Sequence, residues 1–402
     1  MTASTAVDTT GPGIGGRLAR LTGAKTVANT ALRWIPPFLP TLERAFGATT
    51  TQLTTVIGVG EIGGLSTMAV GSRLDRGRER QVMVASLGLV ALSSVIALGG
   101  TTMTFAIAFF ILIVGVSNLT VAGQAWISHR IGYQRRARAL GLFETSWALA
   151  LLIGAPIIAV LINVFGWRGP FVALAIAALV AALVVAAALP RRVPVELVNT
   201  DELDSGPPTV VRSAITLPAW LVMIGSATTA MAGLSVFVIS GSWLDDAFGV
   251  STGGVGVIAI TFGAAELVSS LSSAAFADRV GKLRSTLAGL VGLLVGLTVM
   301  VLADGRLGIG IIGLLVFLLG FEFAFVTSLS LVSEAMPGAR GSTLAVSNAV
   351  GTVARASGAV LSGWLFGAYG VNGTAALSAA AAVASIACFL FSRRGSAPIA
   401  SP

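Results

Sequence analysis

Twelve times along its 402 residues this chain stays apolar for roughly the twenty residues that a helix needs to cross a bilayer. The windows run over 24–42, 52–71, 82–99, 103–127, 139–163, 171–189, 217–241, 254–276, 285–303, 307–332, 342–366 and 372–392. A soluble domain has about a quarter of its residues charged, whereas here 10% are charged and 55% are hydrophobic. Backbone groups in lipid must be satisfied within their own segment, so windows of this length predict helices and an all-α membrane protein. The first window is the weakest, interrupted by Arg33, Pro36, Pro37 and Pro40. Residues 1–23 are polar and hold no apolar run of signal-peptide length, so no cleaved leader is expected.

An internal repeat restores the first window. At an offset of about 202 residues, Leu42-Glu43-Arg44-Ala45-Phe46-Gly47-Ala48-Thr49 lies over Leu244-Asp245-Asp246-Ala247-Phe248-Gly249-Val250-Ser251. Far along the chain, Arg138 before the fifth window falls on Arg340 before the eleventh at the same offset. Six spans duplicated in parallel account for both matches. The expected organisation is a tail over 1–23, a six-helix bundle over 24–189, a linker over 190–213, a second six-helix bundle over 214–392 and a tail over 393–402. The linker holds Arg191, Arg192, four acidic residues and Pro207-Pro208.

The net charge of +8 follows from topology. With the N-terminus in the cytoplasm, twenty of the 25 Lys and Arg, Lys25 among them, fall in cytoplasmic loops and tails, while only Arg44, Arg168 and Arg306 fall outside. A multi-pass protein of the cell membrane with both termini cytoplasmic is expected, and no nucleic-acid partner is implied. One cysteine, Cys388, cannot close an intramolecular disulfide, and one histidine, His129, cannot build a Cys/His zinc site. Neither a metal nor a cofactor is expected, and the absence of a Ser/His/Asp, His-rich or paired-Asp constellation argues against an enzyme. His129, beside Arg130, reads as a solvated loop residue.

Two loops carry a motif. The second-to-third-span loop reads Gly71-Ser72-Arg73-Leu74-Asp75-Arg76-Gly77-Arg78-Glu79-Arg80, and the eighth-to-ninth reads Ala274-Ala275-Phe276-Ala277-Asp278-Arg279-Val280-Gly281-Lys282-Leu283-Arg284. With two six-span halves, they make the whole chain resemble the major facilitator superfamily, whose cytoplasmic signature is a Gly, then Leu-Ala-Asp-Arg, a spacer, Gly and basic residues. The second copy fits from Phe276 onward, with Ala274 in place of the leading Gly. The first lacks the spacer before Gly77. The resemblance implies that Asp75 faces the start of span 11 near Gly341 and Ser342, and that Asp278 faces the start of span 5 near Ala139 and Leu140. Unpaired amides at a helix start favour such a carboxylate, and these contacts would close the cytoplasmic side until the halves rock apart.

Six ionisable residues lie at membrane depth, where each costs about 2.5–3.5 kcal/mol or more and so marks a pathway or a pair. They are Arg33, Glu61, Glu144, Glu266, Glu322 and Arg355, on spans 1, 2, 5, 8, 10 and 11. Spans 3, 6, 9 and 12 hold none, and the resemblance makes those four the lipid-facing helices. Two readings stand side by side: Arg33 neutralises Glu61 or Glu144 while one carboxylate exchanges a proton, or the charges form fixed structural pairs. Two cations against four acids leave two carboxylates in surplus.

Aromatic residues beside sparse charge suit an amphipathic organic molecule. Trp34, Phe38, Phe143 and Trp147 lie on spans 1 and 5, and Phe321, Phe323, Phe325 and Trp364 on spans 10 and 11, with Asn118, Gln124, Ser347 and Asn348 as hydrogen-bonding candidates. Gly154-Ala155-Pro156 predicts a kink and resembles part of the fifth-helix motif of antiporters in this superfamily. Phe110 to Gly115, by contrast, is wholly apolar where its proton antiporters carry an Arg. The expected function is that of a monomeric secondary active transporter exporting its substrate in exchange for protons. Uptake by symport, facilitated diffusion and a non-transporting sensor or scaffold are the alternatives.

Overall fold

Prolines decide how the first rod is built. The helix α1 (Ile14–Arg33) stops short of Pro36 and Pro37, and α2 (Leu39–Phe46) resumes with Pro40 in its first turn, where a missing N–H costs nothing. The computed structural model describes residues 14–74, 76–189, 215–336 and 340–394. The expected linker and the far tails lie outside these residues.

The second rod consists of α3 (Thr50–Glu61), a short 3-10 turn (Ile62–Ser66) and α4 (Thr67–Leu74). Next come α5 (Glu79–Ala97) and α6 (Thr102–Arg130). The fifth rod joins α7 (Tyr133–Glu144), α8 (Ser146–Leu149), a π turn (Ala150–Gly154) and α9 (Ala155–Phe165). The irregularity expected at Gly154 and Pro156 is therefore a π turn leading into the proline. Then α10 (Arg168–Ala188) closes the first half. The second half comprises α11 (Leu217–Phe248), α12 (Thr252–Val280), α13 (Lys282–Val301), α14 (Leu307–Glu334) and α15 (Arg340–Arg394), the last bent at Gly370.

Among the described residues, ten helices are long and apolar enough to cross a membrane. The α1–α2 rod, diluted by its own polar residues, adds one more, and the bend at Gly370 divides α15 into two, which gives the twelve rods expected.

The repeat is visible in backbone angles. Both α2 and α11 end on a left-handed glycine, Gly47 at φ 62°, ψ 31° and Gly249 at φ 62°, ψ 32°, a conformation that costs a side chain about 1–2 kcal/mol. Alanine at either position is expected to destabilise by that amount, and by equal amounts in the two halves, read as matched drops in thermal unfolding midpoint.

On α10 the exposed residues Val172, Ile176, Leu179 and Leu183 form one apolar stripe, as a lipid-facing helix requires. Between halves, α2 meets α11, α3 meets α15, and α8, the π turn and α9 meet α12, whereas among the described residues the main contacts of α4 and α7 are within their own half. Glycines make the approach possible. A Cβ on Gly58 would lie 2.6 Å from the Ala356 carbonyl oxygen, and one on Gly256 would lie 2.6 Å from the Ala159 Cβ. One on Gly241 would overlap the Pro36 and Pro37 carbonyls at the proline break. At the pseudo-twofold axis Arg44 pairs with Asp245 at 2.6 Å and the Ser242 hydroxyl donates to Glu43 at 2.8 Å. The halves thus meet on the face away from the motif loops; the opposite face, which carries most of the basic residues, is called the basic face below.

Candidate functional site

Arg33, the last residue of α1, sits where the proline break lets the chain turn. Its guanidinium donates through both Nη atoms to Glu266 of α12, with Nη1 to Oε2 at 2.5 Å, and Nη1 also donates to the Trp147 carbonyl at 3.1 Å. The guanidinium carbon lies 5.0 Å from the Trp147 ring centre and 5.2 Å from that of Phe237. Side-chain exposure is 8% for Arg33 and 4% for Glu266, so this ion pair between the two halves is cut off from water.

A second pair crosses the halves in the opposite sense. Arg355 of α15 donates through Nε to Glu61 of α3 at 2.9 Å and through Nη2 to the Thr352 hydroxyl at 3.2 Å. Neither Glu61 nor Glu144 is the partner of Arg33, which corrects the pairing expected from sequence. The partner of Glu144 is Lys25, at 2.5 Å, with the Gln124 amide donating to the other carboxylate oxygen at 3.0 Å and the Lys25 ammonium 4.3 Å from the Phe143 ring centre. Lys25 was expected at the cytoplasmic end of the first span. It is instead fully buried inside the bundle, at 0% side-chain exposure.

The correction changes the charge count. Three cations at membrane depth now face four carboxylates, and three of those carboxylates are paired. Glu322 of α14 is left over. It is half-buried, within electrostatic reach of both Arg33 and Glu266, and forms no ion pair among the described residues. Beside it Phe321 stacks between Phe317 and Phe325, with ring centres 6.5 and 5.7 Å apart, and lies over Gly233 of α11.

Other expected residues fall elsewhere. Trp34 is buried against Phe38 and Phe171 and leaves its indole N–H without a partner among the described residues, so it belongs to the packing of the first half rather than to the central cluster. Asn348 is exposed on α15, and its carbonyl accepts from the Thr352 hydroxyl, away from the cluster. Trp364 is exposed.

Of the motif loops, Asp75 and the side chain of Asp278 lie outside the described residues, as do the side chains of Gly341 and Ser342. The motif glycines are explained: Gly77 takes φ 69° and its N–H bonds to the Leu74 carbonyl, and Gly281 takes φ 94° ahead of α13. Lys282 pairs with Glu334, and Arg80 clasps the Ala186 carbonyl through two nitrogens at 2.8 and 3.0 Å. His129 is exposed, as expected, but it lies on the last turn of α6 rather than in a loop, and its Nδ1 is 2.7 Å from Glu79, a buried carboxylate that also accepts from Arg130 at 3.1 Å, so the first half has a polar lock between α5 and α6.

Comparison with known proteins follows the same outline. A family model described as Major Facilitator Superfamily matches residues 21–358 and 222–401. Two curated relatives from Bacillus subtilis (strain 168) are similar: the uncharacterized MFS-type transporter YwfA is 24% identical over 367 residues, covering 89% of this chain and 87% of that one. YceJ, an uncharacterized MFS-type transporter, is 25% identical over 350 residues, covering 83% and 84%. Among solved structures, a bacterial homologue of the human lysosomal transporter Spinster, inward-facing and occupied, superposes with a TM-score of 0.76 at 14% identity over 95% of this chain and 97% of that one. A D-xylose-proton symporter superposes at 0.73 with 16% identity, over 94% and 97%.

Proposed function

The chain belongs to the Major Facilitator Superfamily, and from that premise we propose that it is a secondary active transporter of the cell membrane that exports a small amphipathic organic molecule in exchange for protons. Glu322, the one membrane-depth carboxylate left without a cation of its own, carries the reading. It shares Arg33 with Glu266, so the cluster is one positive charge short. Protonation of one carboxylate, or arrival of a cationic group on the substrate, balances it. Residues 24–189 and 214–392 are the two moving bodies, joined by 190–213, and the basic face is cytoplasmic.

Because α3, α8 and α9 hold the far face shut while, among the described residues, the main contacts of α4 and α7 stay within their own half, the conformation reads as inward-open. Likeness to an inward-facing Spinster homologue supports that reading, and likeness to a proton symporter supports proton use on this fold. The aromatic walls at Trp147, Phe237 and Phe321 suit flat apolar cargo.

Proteoliposomes given a panel of fluorescent amphipathic dyes and a pH gradient test the proposal. Glu322→Gln is expected to reduce gradient-driven dye accumulation to the level of empty vesicles while preserving dye exchange at equal pH. Gradient-driven accumulation at the wild-type rate in that variant would remove Glu322 from the coupling step.

A further inference from the structure

Three polar residues of α1 recur at intervals of four: Lys25, Asn29 and Arg33. At 1.5 Å per residue they make a stripe about 12 Å long on one helix face, rising from the basic-face half of the bundle to the central cluster. Each meets a polar group of the fifth rod. Lys25 holds Glu144, Asn29 donates through its amide nitrogen to the Ser146 hydroxyl at 3.1 Å, and Arg33 holds the Trp147 carbonyl. Asn29 is fully buried, yet its amide oxygen has no partner among the described residues. A buried acceptor left unmet costs about 1–3 kcal/mol, which favours a water drawn in to donate to it.

We infer that this stripe is the proton's route between the basic face and Glu322: Glu144 is the entry carboxylate, and a water held at the Asn29 amide oxygen takes its proton and releases another toward Glu322. The inference rests on the coupling role proposed for Glu322. Glu144 is the accessible end: its side chain is 36% exposed while that of its partner Lys25 is 0% exposed, so a proton from the basic face reaches the carboxylate first. The groups facing Glu144 are Lys25 from α1 and Gln124 from α6. A proton on Glu144 leaves the buried Lys25 charge without its counterion, a state that a low-dielectric interior penalises. Glu144 therefore passes the proton on rather than keeping it. Glu322 faces Glu266 from α12 and Arg33 from α1, two carboxylates for one cation, and gains charge balance by keeping a proton. The two carboxylates thus differ in role because their counterions differ, and Asn29 stands on α1 between Lys25, the partner of Glu144, and Arg33, which reaches Glu322 electrostatically.

The test uses the full-length protein in nanodiscs, with the proton itself as probe. After a pH jump, time-resolved infrared spectroscopy follows the carboxylic C=O band that Glu322→Gln removes. Asn29→Leu is expected to slow its rise by about tenfold or more, at the low end of what a positioned proton-transfer group contributes, without moving the midpoint of the equilibrium titration. Ser146→Ala, which removes only a hydroxyl, is the milder variant and is expected to slow it in the same direction. Rates unchanged in both variants would overturn the route and leave the role of Glu322 standing. A rate change no larger than the accompanying midpoint shift would mark Asn29 as structural support and overturn it too. A wild-type protein with no band sensitive to Glu322→Gln would overturn the coupling role itself, and the route with it.

Discussion

Arg33→Ala is expected to abolish transport while leaving the protein folded, and Glu61→Gln is expected to damage folding more. The asymmetry comes from what each change strands. Removing Arg33 leaves Glu266 and Glu322, which escape an unfavourable charge by taking up protons. Removing the Glu61 charge leaves Arg355, which has no neutral form to retreat to and no second carboxylate partner among the described residues. Breaking a buried ion pair from one side costs about 3–5 kcal/mol. Partial exposure of Arg355, 29% of its side chain, sets the cost of Glu61→Gln toward or below the low end of that range. Glu266→Gln is expected to be milder than Glu61→Gln, because Glu322 stands ready to replace the lost partner of Arg33. The double variant Glu266→Gln/Glu322→Gln, with Arg33 wholly unpaired, is expected to lose more stability than the two single changes added together. Thermal unfolding in detergent ranks the four proteins; a double variant as stable as Glu266→Gln would break the account.

Hydropathy windows, the offset of about 202 residues and the motif loops made the two-half, twelve-rod architecture legible before any coordinates, because each rests on local chemistry or on duplication. Gly47 and Gly249 illustrate the point: a shared Ala-Phe-Gly ending predicted equivalent positions, and the backbone angles are the same. The ionisable residues at membrane depth were legible as a set for the same reason, charge in lipid being costly wherever it stands. Their pairing was not. Arg33 and Glu266 are 233 residues apart and Arg355 and Glu61 are 294 apart, on helices from different halves. An internal repeat says which helices are equivalent but not which ones touch. Lys25 was missed because a lysine at the edge of an apolar window reads as a loop residue. Its spacing from Asn29 and Arg33 was the available signal, a polar stripe on a helix otherwise rich in small residues. The contact of His129 was missed because its partner, Glu79, sits 50 residues away at the start of the next rod back.

The far-face seal is the other place where one substitution is expected to act strongly. Gly58 of α3 faces the Ala356 carbonyl and the Val360 backbone nitrogen of α15, so a side chain there meets backbone, which cannot swing aside. Gly58→Val therefore wedges the two halves apart at the face that the observed conformation closes. Overpacking of this kind costs about 1–3 kcal/mol. Charged against one conformation of a two-state equilibrium, that shifts the population ratio by roughly fivefold to 150-fold. Distances between spin labels on the two halves, one pair on each face, would register the shift as a longer far-face distance and a shorter basic-face distance. Gly47→Ala serves as the control, because its strain lies within one half and nothing stands in the space a Cβ would take there. If Gly58→Val lowered the unfolding midpoint as Gly47→Ala does, without moving either distance, the α3–α15 contact would be ordinary core packing. A reciprocal change in the two distances follows only if the halves rock about the central ion pairs, closing one face as the other opens.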